Sequence, residues 1–121
     1  MIKVKYFYND DFQLKGFSVK GHAEYAEYGR DIVCAAVTTH AIATINSLDV
    51  LQKVEFESVE AEEGNISCIV KDDCIEKAQL LLQHFQLAIQ EIKREYPKNI
   101  KILKNRGWLP NVKDELTVIS I

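Results

Sequence analysis

Apolar and polar positions alternate from the first residues, with Val4, Tyr6 and Tyr8 one residue apart across MIKVKYFYND, a period of two that predicts a strand. Asn9-Asp10-Asp11 supplies a turn, and Phe12 and Leu14 resume the alternation, so a β-hairpin opens the chain. After Gly16 the apolar parity moves by one residue to Phe17 and Val19, which predicts a bulge that re-aims the strand where Gly21 and His22 follow. From Ile32 to about Leu51 there is no Gly or Pro, and Cys34, Val37, Ala41, Ile45 and Leu48 recur at helical spacing. Asp31 stands where an N-cap belongs, placing Cys34 in the first turn.

A second hairpin is expected with Val54 and Phe56 on one strand and Ile66, Cys68 and Val70 on the other, joined through Glu63-Gly64-Asn65. The acidic run from Glu55 to Glu63 reads as a solvated sheet face and turn. Asp72 or Asp73 is the expected cap of a second helix, whose stripe of Ile75, Ala78, Leu82, Phe85, Ile89 and Ile92 stops before Pro97, with His84 off the stripe. A short strand from Ile100 to Leu103 closes the order ββαββαβ. The expected fold is an α+β two-layer sandwich, with two main helices on a sheet of about four to five strands. Residues 1–106 form its single domain; residues 107–121, GWLPNVKDELTVISI, read as a C-terminal appendage that Trp108 could dock.

Composition narrows the function classes. The 121 residues suffice for a core without disulfides or metal, and 47% hydrophobic with 27% charged residues is ordinary for a soluble domain. No apolar run reaches the length expected of a membrane span, and the N-terminus lacks a signal-peptide pattern, so a cytoplasmic protein is expected. A net charge of -3 without a Lys/Arg cluster argues against direct nucleic-acid binding. Cys34, Cys68 and Cys74 have neither an even count nor C-x-x-C spacing, which points to free thiols.

The chemistry lies in GHAEYAEYGRDIVCAAVT, residues 21–38. A lone cysteine in an apolar helix is ordinarily packing, and Cys68 and Cys74 are read so. Cys34 differs because a helix N-terminus stabilises thiolate, and because His22, at the tip of the preceding strand, returns to the same end if the intervening loop folds back. A nucleophile and its base are one reading of this pair; a buried thiol beside a surface histidine is the other. Asp31 is either a plain cap or a carboxylate that orients the imidazole. His40 with His22 and Cys34 makes only a loose zinc set, so no metal or cofactor is called.

Gly21-His22-Ala23, a loop with Gly29, and then Asp31-Ile32-Val33-Cys34-Ala35 resemble the signature of the ribosomal-processing cysteine protease family, Prp, over about residues 1–105. The resemblance implies a cytoplasmic homodimeric cysteine protease that removes a short N-terminal extension from the bacterial large-subunit ribosomal protein L-twenty-seven. It implies Cys34 and His22 as the catalytic pair, Asp31 as the motif acid, and a mobile active-site loop from Ala23 to Arg30. Members cut between an aromatic pair and a small residue, so an apolar pocket is expected, with Tyr25 and Tyr28 as candidate walls. Ala36 departs from the glycine common in the family, and the tail after Arg106 exceeds its usual length. Two readings compete: a non-catalytic module that adds a ribosomal-protein tail to a sheet edge, and a thiol redox sensor with a resolving cysteine near Cys34.

Overall fold

A computed structural model describes residues 1–21 and 28–103, with the backbone alone for residues 28–31. The elements run β1 (Ile2–Tyr8), β2 (Leu14–Lys20), α1 (Tyr28–Val50), β3 (Phe56–Glu62), β4 (Asn65–Val70), α2 (Ile75–Glu95) and β5 (Ile100–Leu103). This is the expected order ββαββαβ. The strands form one mixed sheet in the order β3-β4-β2-β1-β5, antiparallel except where β5 runs parallel to β1.

Strand parity decides which side chains meet the helices. Val4 lies opposite Val19 and Tyr6 opposite Phe17, and the same row continues to Ile66 and Cys68 on β4. At the far end the pairing jumps from Phe7 with Gly16 to Tyr8 with Leu14, leaving Lys15 as the extra residue of a bulge. The bulge keeps Leu14, Phe17 and Val19 all in the core despite their change of parity. Gly16 is required there because a Cβ would collide with the Cys68 carbonyl on the neighbouring strand. Gln79 of α2 secures the bulge: its Oε1 accepts from Leu14 N–H at 3.1 Å and its Nε2 donates to the Leu14 carbonyl at 2.6 Å.

Three local expectations need correction. Phe12 belongs to the turn, not to the alternation; it has φ +62 and is exposed, while Asn9 Oδ1 accepts from the Asp11 and Gln13 N–H groups. Asp72 and Asp73 make no capping hydrogen bond; they lie in a 3-10 turn over Asp72–Cys74 that leads into α2. Residues 32–50 are long and apolar enough to cross a membrane, with a mean hydropathy of 1.2, contrary to the sequence reading. In the fold that apolarity serves packing: Val33, Val37, Ala41, Ile45 and Leu48 face inward, spaced by three or four residues.

The α2 stripe is buried as expected at Ile75, Ala78, Leu82, Phe85 and Ile89. Phe85 is its centre, stacked on Phe17 with ring centroids 4.0 Å apart and edge-on to Tyr6 at 6.4 Å. The chain leaves α2 at Tyr96, immediately before Pro97, and β5 follows as expected. The helices thus cover β1, β2 and β4, while β3 is an edge strand whose residues are nearly all exposed. The appendage 107–121, with Trp108, lies outside the described residues.

Candidate active site

The helix α1 starts at Tyr28, three residues before Asp31. Asp31 is therefore inside the helix and is not its N-cap, and Cys34 is in the second turn, not the first. The macrodipole acts mainly within the first turn, so the helix end is a weaker influence on this thiol than the sequence suggested. Tyr28 and Gly29 are likewise helical, so the loop expected from Ala23 to Arg30 gives up its last three residues and Gly29 is no loop hinge. His22 and Tyr25 lie outside the described residues, as do the side chains of Tyr28 and Asp31.

Helical geometry explains where Cys34 goes. Val33 takes the inward position expected for Cys34, and one residue on, about 100° around the axis, Cys34 falls on the flank of α1. It is half-buried, packed on the core on one side. Its other side opens into a cavity of about 580 Å³. Ala35, Thr38, Thr39 and Ile42 continue the same flank along the cavity wall. Opposite them stand Val19 and Gly21 at the end of β2, Ala61 of β3 and Ile66 of β4. Because α1 does not extend over β3, this groove stays open, and Ile42 on its wall is about two-fifths exposed.

Gly21 is fixed by its surroundings. Its φ is +109, a Cβ would stand 2.5 Å from the Met1 carbonyl oxygen, and its N–H donates to the Gly64 carbonyl at 3.1 Å. The strand end that leads into His22 is thus pinned between the N-terminus and the β3–β4 turn. Cys34 and Gly21 share one cavity, so the structure unites two of the residues singled out from the sequence.

The remaining thiols are different. Cys68 is fully buried opposite Phe17, and burial pushes its thiol up to about 12, which keeps it protonated and inert at neutral pH. Cys74 is also buried. Among the described residues no three His, Cys, Asp or Glu side chains converge to hold a metal ion.

The sequence profile described as cysteine protease Prp matches residues 1–101. The chain belongs to the Prp family. It is 29% identical over 110 residues to the ribosomal processing cysteine protease Prp of Bacillus subtilis, covering 87% of this chain and 98% of that one. With the Staphylococcus aureus protein of the same name it shares 30% identity over 103 residues, 84% of this chain and 97% of the relative. Among solved structures it is similar to the essential ribosomal processing protease Prp from S. aureus in complex with a substrate peptide. The TM-score is 0.76 at 28% identity, over 85% of this chain and 98% of that chain. A second S. aureus Prp structure, with a covalently linked product peptide, gives 0.73 at 30% identity, over 84% of this chain and 97% of that one. Prp proteins are cysteine proteases, and this chain is one by family.

One part of the site escaped the sequence reading: Thr38, one helical turn beyond Cys34, was available from i, i+4 spacing. Glu62 and Glu63 border the cavity at the β3–β4 turn and are exposed, as expected of a solvated acidic run. Only the strand order β3-β4-β2, a long-range fact, brings that turn beside α1.

Proposed function

We propose that this Prp protein is a cytoplasmic, homodimeric endopeptidase that removes the N-terminal extension of large-subunit ribosomal protein L-twenty-seven, with Cys34 as nucleophile and His22 as its base. The observation that carries the assignment is selective exposure: of three free cysteines, Cys34 alone lines the cavity, while Cys68 and Cys74 are buried. His22 is covalently next to Gly21, which lines that same cavity. The names of the relatives, and the peptides held in the two S. aureus structures, support a ribosomal-protein peptide as substrate. Residues 1–106 serve as the protease domain and 107–121 as an appendage to it.

In the reaction His22 takes the Cys34 proton, and the sulfur attacks the scissile carbonyl to form a C–S bond. His22 then returns the proton to the leaving amine as the C–N bond breaks. Water hydrolyses the thioester, releasing the carboxylate and restoring the thiol. The apolar walls from Val19, Ile42, Ala61 and Ile66 suit the hydrophobic end of the extension. Asp31, four residues into α1, serves as a candidate orienter of His22 rather than as a cap. Tyr25 and Tyr28 are candidate pocket walls by family resemblance.

Mass spectrometry of a peptide spanning the extension, incubated with the full chain, tests the assignment. Wild type cuts it once and passes through a thioester on Cys34; Cys34→Ala cuts nothing while keeping its circular dichroism spectrum. His22→Ala loses about 10² to 10⁴ in rate, the usual contribution of a positioned base. Cleavage by a well-folded Cys34→Ala protein overturns the proposal.

A further inference from the structure

We infer that the open face of the sheet, turned away from the helices, binds the phosphate backbone of single-stranded nucleic acid through Lys3, Lys5, Lys20 and Lys101; for the ribosomal substrate proposed above, that nucleic acid is RNA. Val4, Tyr6, Val19 and Ile100 are buried beneath the helices, so strand alternation turns the four lysines beside them to the opposite face. These lysines are far apart in the sequence, and the sheet register gathers them. Lys3 lies directly opposite Lys20 on one side and Lys101 on the other, with Lys5 two residues along β1. A net charge of -3 hides this local excess of positive charge.

None of the four is ion-paired among the described residues, where the ion pairs are Lys71 with Glu55 and Arg94 with Glu91. Like charges directly opposite one another destabilise a sheet, and Lys3 has one on each side. The acids of this face lie beyond β4: Glu62 is opposite Asn65, Asn65 is opposite Lys20, and Glu60 accepts from Asn65 Nδ2 at 2.6 Å. A neutral strand therefore separates them from the lysines. At ordinary strand spacing the three lysine-bearing strands span about 10 Å, a length in which a nucleic-acid strand places two or three phosphates. Phe7 adds the second feature of such a surface. It is half-buried on the same face, with Lys5 Nζ 5.5 Å from its ring centroid, and opposite it on β2 is Gly16, which has no side chain to cover it. Basic surfaces that hold single strands stack bases on aromatic rings, so Phe7 beside the lysines favours nucleic acid over an acidic protein.

Fluorescence anisotropy of a labelled single-stranded RNA of about 12 nucleotides, titrated with the full chain at about 50 mM salt, tests this. Binding should weaken with salt at a log–log slope of about -2 to -3, as three or four lysines on phosphates give. Lys3→Gln/Lys20→Gln should lose about tenfold or more in affinity and cut the slope by about 1.4. Phe7→Leu should lose about fivefold at unchanged slope, and Lys77→Gln, exposed on α2 in the other layer, should change neither. Each variant should cut the peptide as wild type does, because the cavity lies on the helix side of the sheet; RNA binding and cleavage thus fail separately. No RNA binding at this salt, affinity that survives the double lysine variant, or an acidic peptide of equal charge bound as tightly as RNA overturns the proposal. So does a change of oligomeric state in that double variant by sedimentation velocity, which would put a second copy on this face through Glu60 and Glu62.

Discussion

Gly21→Ala should damage stability and catalysis together. The backbone conformation at φ +109 is one that a side chain makes costly, at about 1–3 kcal/mol. The added Cβ would also stand 2.5 Å from the Met1 carbonyl oxygen, closer than real Cβ contacts allow, so Met1 must give way. Met1 is not free to do so, because the next residue, Ile2, donates its N–H to the Asn99 carbonyl at 3.0 Å and begins β1. Losing that bond adds about 0.5–1.5 kcal/mol. Together the two give about 3 kcal/mol, or a fall in Tm of roughly 10 °C in a domain of this size. Urea unfolding followed by circular dichroism measures the stability, and peptide cleavage in the cold, where the variant is still folded, measures the site. We expect cleavage to fall by at least about tenfold under those conditions, since a 1 Å error at the residue before His22 misplaces its imidazole. Gly64→Ala, also at positive φ (+79), should lose stability by the backbone cost. A Gly21→Ala protein within about 0.5 kcal/mol of wild type would refute the claim that this position admits only glycine.

Thiol titration of the native protein should find one fast-reacting cysteine, Cys34, with Cys68 and Cys74 reacting only on unfolding; fast labelling of Cys34→Ala would contradict the placement of the three. Above pH 9 stability should fall by up to about 1.4 kcal/mol per pH unit, because the unfolded Cys68 thiol ionises from its ordinary value of 9.0 while the folded one holds its proton up to about 12. Urea midpoints against pH check this, and Cys68→Ala should flatten the slope relative to wild type. Gln79→Leu should cost about 1–3 kcal/mol by stranding the Leu14 N–H and carbonyl at the bulge, and an unchanged urea midpoint would remove Gln79 from that role. Phe85→Ala should cost about 3–5 kcal/mol as the aromatic stack on Phe17 is lost; a drop under 1 kcal/mol by the same measurement would deny it a central place.

Local periodicity was enough for most of the architecture. The alternation in β1, the shift of parity at Gly16 and the stripe of α2 each depend on neighbours in the chain, and each element lies where that pattern points. The errors arose where two local signals compete. An aspartate before an apolar run reads as a cap, yet Tyr28, Gly29 and Arg30 continue the helix upstream of Asp31, since neither a cap-forming residue nor a weak helix former such as glycine by itself ends a helix. The one-residue ambiguity of the α1 stripe has the same origin: Val33 and Cys34 are both apolar neighbours on a helix, and only the packed layers decide that valine takes the inward place.

That choice has a chemical consequence. Had Cys34 faced inward with Val37 and Ala41, its thiol would share the fate of Cys68, where burial lifts the proton affinity and no substrate can reach. Val33 fills the core position, so the adjacent Cys34 rests one side against the core and presents the other to the cavity. The partner surface comes from much later in the chain: β4 pairs with β2, β3 pairs with β4, and the Gly64 carbonyl in the turn between them accepts from the Gly21 N–H. The reactive flank and its opposing wall are therefore held by separate parts of one sheet, and a sequence motif can name the first without locating the second. Exchanging the roles, in a Val33→Cys/Cys34→Val protein, should keep the fold while burying the thiol, so that native labelling and cleavage are both lost although cysteine content is unchanged. Retained cleavage by that variant would show that access to the cavity, and not the identity of the inward residue, had been misjudged.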